Sequence, residues 1–168
     1  GWDVAGAAGR RSDGSVVVVD AQGGIHVAGG GVPIGPGGPW WPGLDIARDI
    51  VVDPSDATRA FILDAYGGVH LAGGGRPTPS VVATHYTPGR DLARRLVVLP
   101  GSSAGYVVDA AGRLHPWALA GTALPPAAVT ASPVGGVRGA VLGPTGSVTV
   151  VAGTGAVVST GGEPCRVS

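Results

Sequence analysis

Three histidines follow three aspartates at one fixed interval: Asp20 and His26 in "DAQGGIH", Asp64 and His70 in "DAYGGVH", Asp109 and His115 in "DAAGRLH". Carboxylate plus imidazole is the vocabulary of metal ligation and of acid–base catalysis, because imidazole binds transition metals and titrates near neutrality. A structural use competes. Asp at the first position of a type I turn accepts backbone N–H groups, and Gly at the fourth takes the left-handed place of a hairpin with a G1 bulge. The histidine then begins the next strand, its ring bonded to a neighbouring backbone group or Asp at a junction between units, which it would fasten.

A second acidic set stands in "WDVA", "LDIA" and "RDLA", as Asp3, Asp45 and Asp91. Each lies just before an apolar run, where three carboxylates brought together would suit Ca²⁺ or another ion. Hydrogen bonds between units, or ion pairs with Arg48 and Arg94, would use them equally well. Aromatic residues gather at corresponding places: Trp2, then Trp40 and Trp41 in "GGPWWPG", then His85 and Tyr86 in "THYTPG". Exposed, they would stack on sugar rings or hold an apolar side chain; buried, they would fill gaps between units. The chain has no nucleophile elbow, no HExxH and no CxxC pair, and no helix follows its glycine runs to cradle a phosphate.

Residues so spaced need a repeating scaffold. Aligned on His26, His70 and His115, the copies continue to Val158 in "TGAVVSTGG", at spacings of 44, 45 and 43. The repeats run approximately over 1–41, 42–87, 88–131 and 132–168, and a period near 44 is one signature of propeller blades. First strands are expected in "AGAAG" at 5–9, "DIVVD" at 49–53, "RLVVL" at 95–99 and "GAVLG" at 139–143. Second strands follow in "VVVVD" at 16–20, "AFILD" at 60–64, "YVVDA" at 106–110 and "VTVVA" at 148–152. The histidines mark third strands. Fourth strands are expected in "GVPIGP" at 31–36, "SVVATHY" at 80–86, "AAVTAS" at 127–132 and the terminal "CRVS". No stretch sustains a helical apolar period, so the fold expected is all-β with very little helix, a four-bladed β-propeller forming a single domain. A β-trefoil wants three repeats and a β-helix a shorter one. An open array, or a partial propeller completed by another chain, stays open.

In such a ring only the first strands converge on the axis. Histidines on third strands lie one or two strand spacings of about 4.8 Å further out, too far apart for a zinc ion that needs nitrogens at about 2.0 to 2.1 Å. That favours structural roles for His26, His70, His115 and their aspartates, and makes Asp3, Asp45 and Asp91 the axial candidates.

Composition narrows the partners. Eleven arginines, no lysine and eleven acidic residues give no net charge, which disfavours nucleic acid. Residues 139–162 carry no charge, but seven glycines and a proline in the tract argue for strands, and no transmembrane segment is expected. Cys165 has no partner cysteine in the chain, leaving it free or paired with another chain. The opening "GWDVAG" suggests a piece of something longer, with any signal peptide outside it.

The "D-x-x-G-G-x-H" motif, intact in units one and two, altered by Arg113 in three and lost in four, resembles glycine-rich repeats in secreted or surface proteins of GC-rich bacteria. That resemblance implies a propeller and an extracellular or cell-surface setting. The Asp-bearing openings are similar to hemopexin-like four-bladed propellers, whose axial channels hold ions. Here, however, an extra apolar residue separates Asp from Ala, and the terminal disulfide usual in that family is absent. The leading expectation is a non-catalytic module, without a required cofactor, that binds glycan or protein through inter-blade loops. The alternatives are a structural or self-assembling homo-oligomer subunit and, third, an ion-binding propeller or hydrolase.

Overall fold

A computed structural model describes residues 5–73, 80–83, 85–126, 135–143 and 147–160. Trp2, Asp3, Cys165 and the strands expected at 127–132 and at the C-terminus lie outside them. The described residues form strands and turns without helix, and no helix is long and apolar enough to cross a membrane.

The strands build four small antiparallel sheets. The first holds β1 (Ala5–Arg10), β2 (Val16–Asp20) and β3 (Ile25–Ala28). The second holds β4 (Ala47–Val52), β5 (Ala60–Asp64) and β6 (Val69–Ala72). After β7 (Val81–Ala83) come β8 (Ala93–Val98), β9 (Ala104–Asp109) and β10 (Leu114–Leu119) of the third sheet. The fourth holds β11 (Val137–Leu142), β12 (Val148–Ala152) and β13 (Val157–Ser159), so the described part of the charge-free tract folds as strands and the turns between them. First strands neighbour one another in series: β1 packs beside β4, β4 beside β8, β8 beside β11.

Each first strand begins two residues earlier than expected in the second, third and fourth sheets, because a bulge sits at its start. The register slips at Ala5/Ala7, Ala47/Asp49, Ala93/Arg95 and Val137/Gly139. Such a bulge lets side chains flanking it serve different faces.

The fourth strands depart from expectation. Residues 31–36 form no strand; they pass the outer edge of the second sheet, where the Gly35 N–H donates to the Thr58 carbonyl at 2.8 Å and the Gly73 N–H to that of Gly37 at 3.2 Å. The segment at 80–86, read as the end of unit two, supplies β7, which pairs with β10 and so completes the third sheet, order β7-β10-β9-β8. The outermost element of a sheet therefore comes from the preceding repeat. No pattern within "SVVATHY" names its partner; the stagger between sheets does.

Three cores form where adjacent sheets meet. Val17 and Val19 of the first sheet pack on Ile50 and Ile62 of the second. Phe61 and Leu63 of the second pack on Leu96, Val107 and Trp117 of the third, with the Phe61 and Trp117 ring centroids 4.7 Å apart. Tyr106 and Val108 of the third pack on Val148 and Val150 of the fourth. Burial follows: β5 and β9 are buried on both faces, whereas β2 and β12 alternate between buried and half-buried residues. Among the described residues no core joins the fourth sheet to the first.

Candidate functional site

Ala5 and Asp20 are cross-strand partners, as are Ala47 and Asp64, and Ala93 and Asp109. The hairpins opened by these aspartates therefore lie at the same end of the sheets as the starts of the first strands. Every described residue singled out in the sequence falls at this end or in the connections leading to it.

The hairpins share one construction. Asp64 Oδ1 accepts the N–H groups of Tyr66 (2.8 Å) and Gly68 (2.9 Å). Asp20 does the same for Gln22 and Gly24, and Asp109 for Ala111 and Arg113. The fourth residue of each turn, Gly23, Gly67 or Gly112, has φ of 92°, 95° or 82°. Oδ2 then faces the histidine: Nε2 lies 3.2 Å away in His26, 2.7 Å in His70 and 3.1 Å in His115. Burial raises the pKa of Asp20 and Asp109, but the histidine and the two backbone N–H groups outweigh it and hold both carboxyls below their usual range. These are turn locks, and the histidine bond stays within its own hairpin instead of joining two units.

The connections do join units. Trp41 reaches the first hairpin, its N–H donating to the Gln22 carbonyl at 2.8 Å, and its ring meets His70 of the second sheet edge-on at 5.0 Å. A Cβ on Gly23 would come within 3.0 Å of that ring. His85 repeats the arrangement one unit on. It stacks on His115 at 4.0 Å, while a Cβ on Gly67 would stand 2.8 Å from the His85 carbonyl oxygen. Burial lowers the His85 pKa, and the neighbouring His115 and Arg113 lower it further against the pull of Asp109. Side-chain exposure falls from 67% in His26 to 36% in His70 and 18% in His115. The two better-covered rings are those an inter-sheet aromatic touches.

Beside each wedge an aromatic stays exposed. Trp40 is 59% exposed and Tyr86 56%. Trp40 lines an open groove of about 390 Å³ with Ile25, Val27, Pro33, Ile34 and Pro39, its remaining walls being glycine backbone. Tyr86 leans edge-on against Tyr66 of the neighbouring hairpin at 6.4 Å.

The axial candidates Asp45 and Asp91 are engaged by arginine. Arg48 Nη1 donates to Asp45 Oδ1 at 3.1 Å and Nη2 to Asp91 Oδ2 at 3.0 Å, while Arg94 Nη1 reaches Asp91 Oδ1 at 2.7 Å. Burial would raise the Asp91 pKa, yet the two guanidiniums outweigh it and depress it. The place between the two carboxylates is held by the protein's own cation. Among the described residues no group of three His, Cys, Asp or Glu could hold a metal ion.

Sequence reasoning missed Asp49. First strands of all four sheets contribute to the lining of a half-open cavity of about 460 Å³, with Ala7, Asp49, Arg95 and Ala140 among its residues, and Asp49 supplies its carboxylate. Asp49 Oδ2 accepts the Leu96 N–H of the next sheet at 2.8 Å, and Oδ1 accepts its neighbour Ile50's at 3.0 Å. Burial pushes its pKa up against these bonds and the Arg95 charge. The signal available was an Asp inside the otherwise apolar "DIVV", but the bulge before it decides where it points.

Also unforeseen, Ala21 and Ala65 stitch sheets through backbone alone. The Ala21 carbonyl accepts the N–H groups of Ile46 (3.0 Å) and Ala47 (3.1 Å), and the Ala65 carbonyl those of Leu92 (2.9 Å) and Ala93 (3.1 Å). A repeated Ala after the turn Asp was the trace of this contact. No family model matches the chain, and neither the curated proteins nor the solved structures contain a match.

Proposed function

We propose that the four sheets are blades of a β-propeller, their first strands around the shared cavity, and that the chain is a non-catalytic binding module of a secreted or cell-surface protein. The partner class is a glycan, taken up at the hairpin end by the inter-blade connections. One observation carries this reading. Trp41 and His85 anchor their connections between sheets, and the residue next to each, Trp40 or Tyr86, turns a ring to solvent. An anchored loop presenting an aromatic beside an open, glycine-walled groove offers a flat stacking surface with backbone donors and acceptors nearby, at little entropic cost on binding.

The Asp–His pairs support a non-catalytic reading, since one Asp oxygen already holds two backbone N–H groups in each hairpin. The ring is similar to the glycine-rich repeats noted above in motif and period, which is the ground for the extracellular setting.

The test is a glycan array read with the wild-type chain and with Trp40→Ala and Tyr86→Ala. Both side chains are exposed, so the variants keep the wild-type melting temperature while Trp40→Ala weakens binding about tenfold or more, as loss of a stacking hot spot does. A silent array, or binding unchanged in both variants, overturns the glycan reading. Capture of a protein partner by the same surface, lost in the same variants, replaces the ligand class but keeps the surface.

A further inference from the structure

The outward faces of the first and fourth sheets carry the two halves of a junction that the molecule builds three times inside itself. In register, Ile50, Ile62 and His70 form one row across the second sheet, and Leu96, Val107 and His115 the matching row across the third. These rows receive the preceding sheet, and Ile50, Ile62, Leu96 and Val107 are 5% exposed or less. The same row in the first sheet is Ala8, Val18 and His26. Nothing precedes it among the described residues; Ala8 and His26 are exposed and Val18 half-buried.

The inserting rows show the converse. Val51, Phe61 and Leu71 of the second sheet, and Val97 and Tyr106 of the third, press into the next sheet. Their counterpart in the fourth is Val141, Thr149 and Ser159, the two hydroxyls bonded to each other at 2.7 Å. Val97 is 5% exposed in its junction and Val141 60% exposed without one. Val151 and Val157, cross-strand partners on the same face, are half-buried.

We infer that these faces form a self-association interface, the Val141 face of one copy docking on the Val18 face of a second copy. The occupant follows from the repeat. A face that receives a sheet three times within the chain is shaped for that sheet's counterpart, and a second copy presents it unpaired. The contact is heterologous, so it propagates until the rotation closes. This goes beyond the glycan reading and is measured without any ligand.

The experiment is sedimentation of the whole chain across a concentration series, with Val18→Arg and Val141→Arg as variants, one on each of the two faces. The wild type is expected to sediment at twice 16.3 kDa or a higher multiple as concentration rises. Each variant alone stays at the mass of one chain with an unchanged melting temperature. An equal mixture of the two recovers two-chain species, because each keeps the face that the other lacks. A wild type that remains at one-chain mass throughout overturns the proposal. So does a variant that associates like the wild type, or a mixture that stays monomeric. If Val141→Arg instead lowers the melting temperature of a monomeric wild type, the two faces meet within one chain. Trp40→Ala leaves the association unchanged, which separates this outcome from that of the glycan test.

Discussion

The fold holds His85 toward its neutral form. Its ring stacks on that of His115 at 4.0 Å, 14° from parallel, and burial together with that neighbour favours its neutral form. The folded pKa is thus below the ordinary imidazole value of about 6.5. A group so depressed contributes stability that is whole above its unfolded pKa and drains away as pH falls through the folded one. The urea midpoint of the wild type is therefore expected to drop between pH 7 and pH 5, and to drop less in His85→Phe, which keeps a ring in place without titrating. An equal drop in both would assign the slope elsewhere. Asp20, Asp91 and Asp109, also depressed, act in a separate window, below about pH 4. At this scale the Asp-to-Gly turns were legible, because every partner of the turn Asp lies within six residues. Asp49 was not, since its partner Leu96 is 47 residues away.

Among the elements, the hairpin and the connection behind it act as one unit. Gly67 has φ of 95°, and a Cβ there would press on the His85 carbonyl at 2.8 Å; Gly14, at φ 88°, faces open space. Gly14→Ala then costs the left-handed penalty alone, about 1–2 kcal/mol. Gly67→Ala costs that and a displaced connection, so its urea midpoint is expected well below that of Gly14→Ala. Equal losses would mean that the connection yields freely. The hairpins themselves were readable in β-branched runs bounded by turn residues. Ownership of β7 was not: three residues of alternating exposure carry too little information to choose between two neighbouring edges, and the offset between sheets chooses the later one.

For the molecule as a whole, the three inter-sheet cores and the two faces that no described sheet covers predict an uneven response to truncation. Phe61 is fully buried against Trp117, so Phe61→Ala is expected to cost about 3–5 kcal/mol by chemical denaturation. Val18, chemically similar to the buried Val17 and Val19, stands half-buried on the uncovered side. Val18→Ala in dilute solution is expected to cost less than about 1 kcal/mol. A comparable loss at the two positions would show that the first sheet is covered on both sides even in the dilute chain. "VVVVD" offers no hint of this difference, for four valines in a row do not say which pair meets another sheet.

By itself the sequence determined the all-β class, the four-fold period and the chemistry of each hairpin, because these rest on bonds made within one turn and on the two-residue alternation of a strand. Only the tertiary structure decided which carboxylate lines the shared cavity, that Arg48 reaches across to Asp91 of the next unit, which sheet receives β7 and which faces no described sheet covers. Each of those depends on partners more than 30 residues distant, or on a bulge that turns a side chain from one face to another, and neither is written in any local pattern of residues.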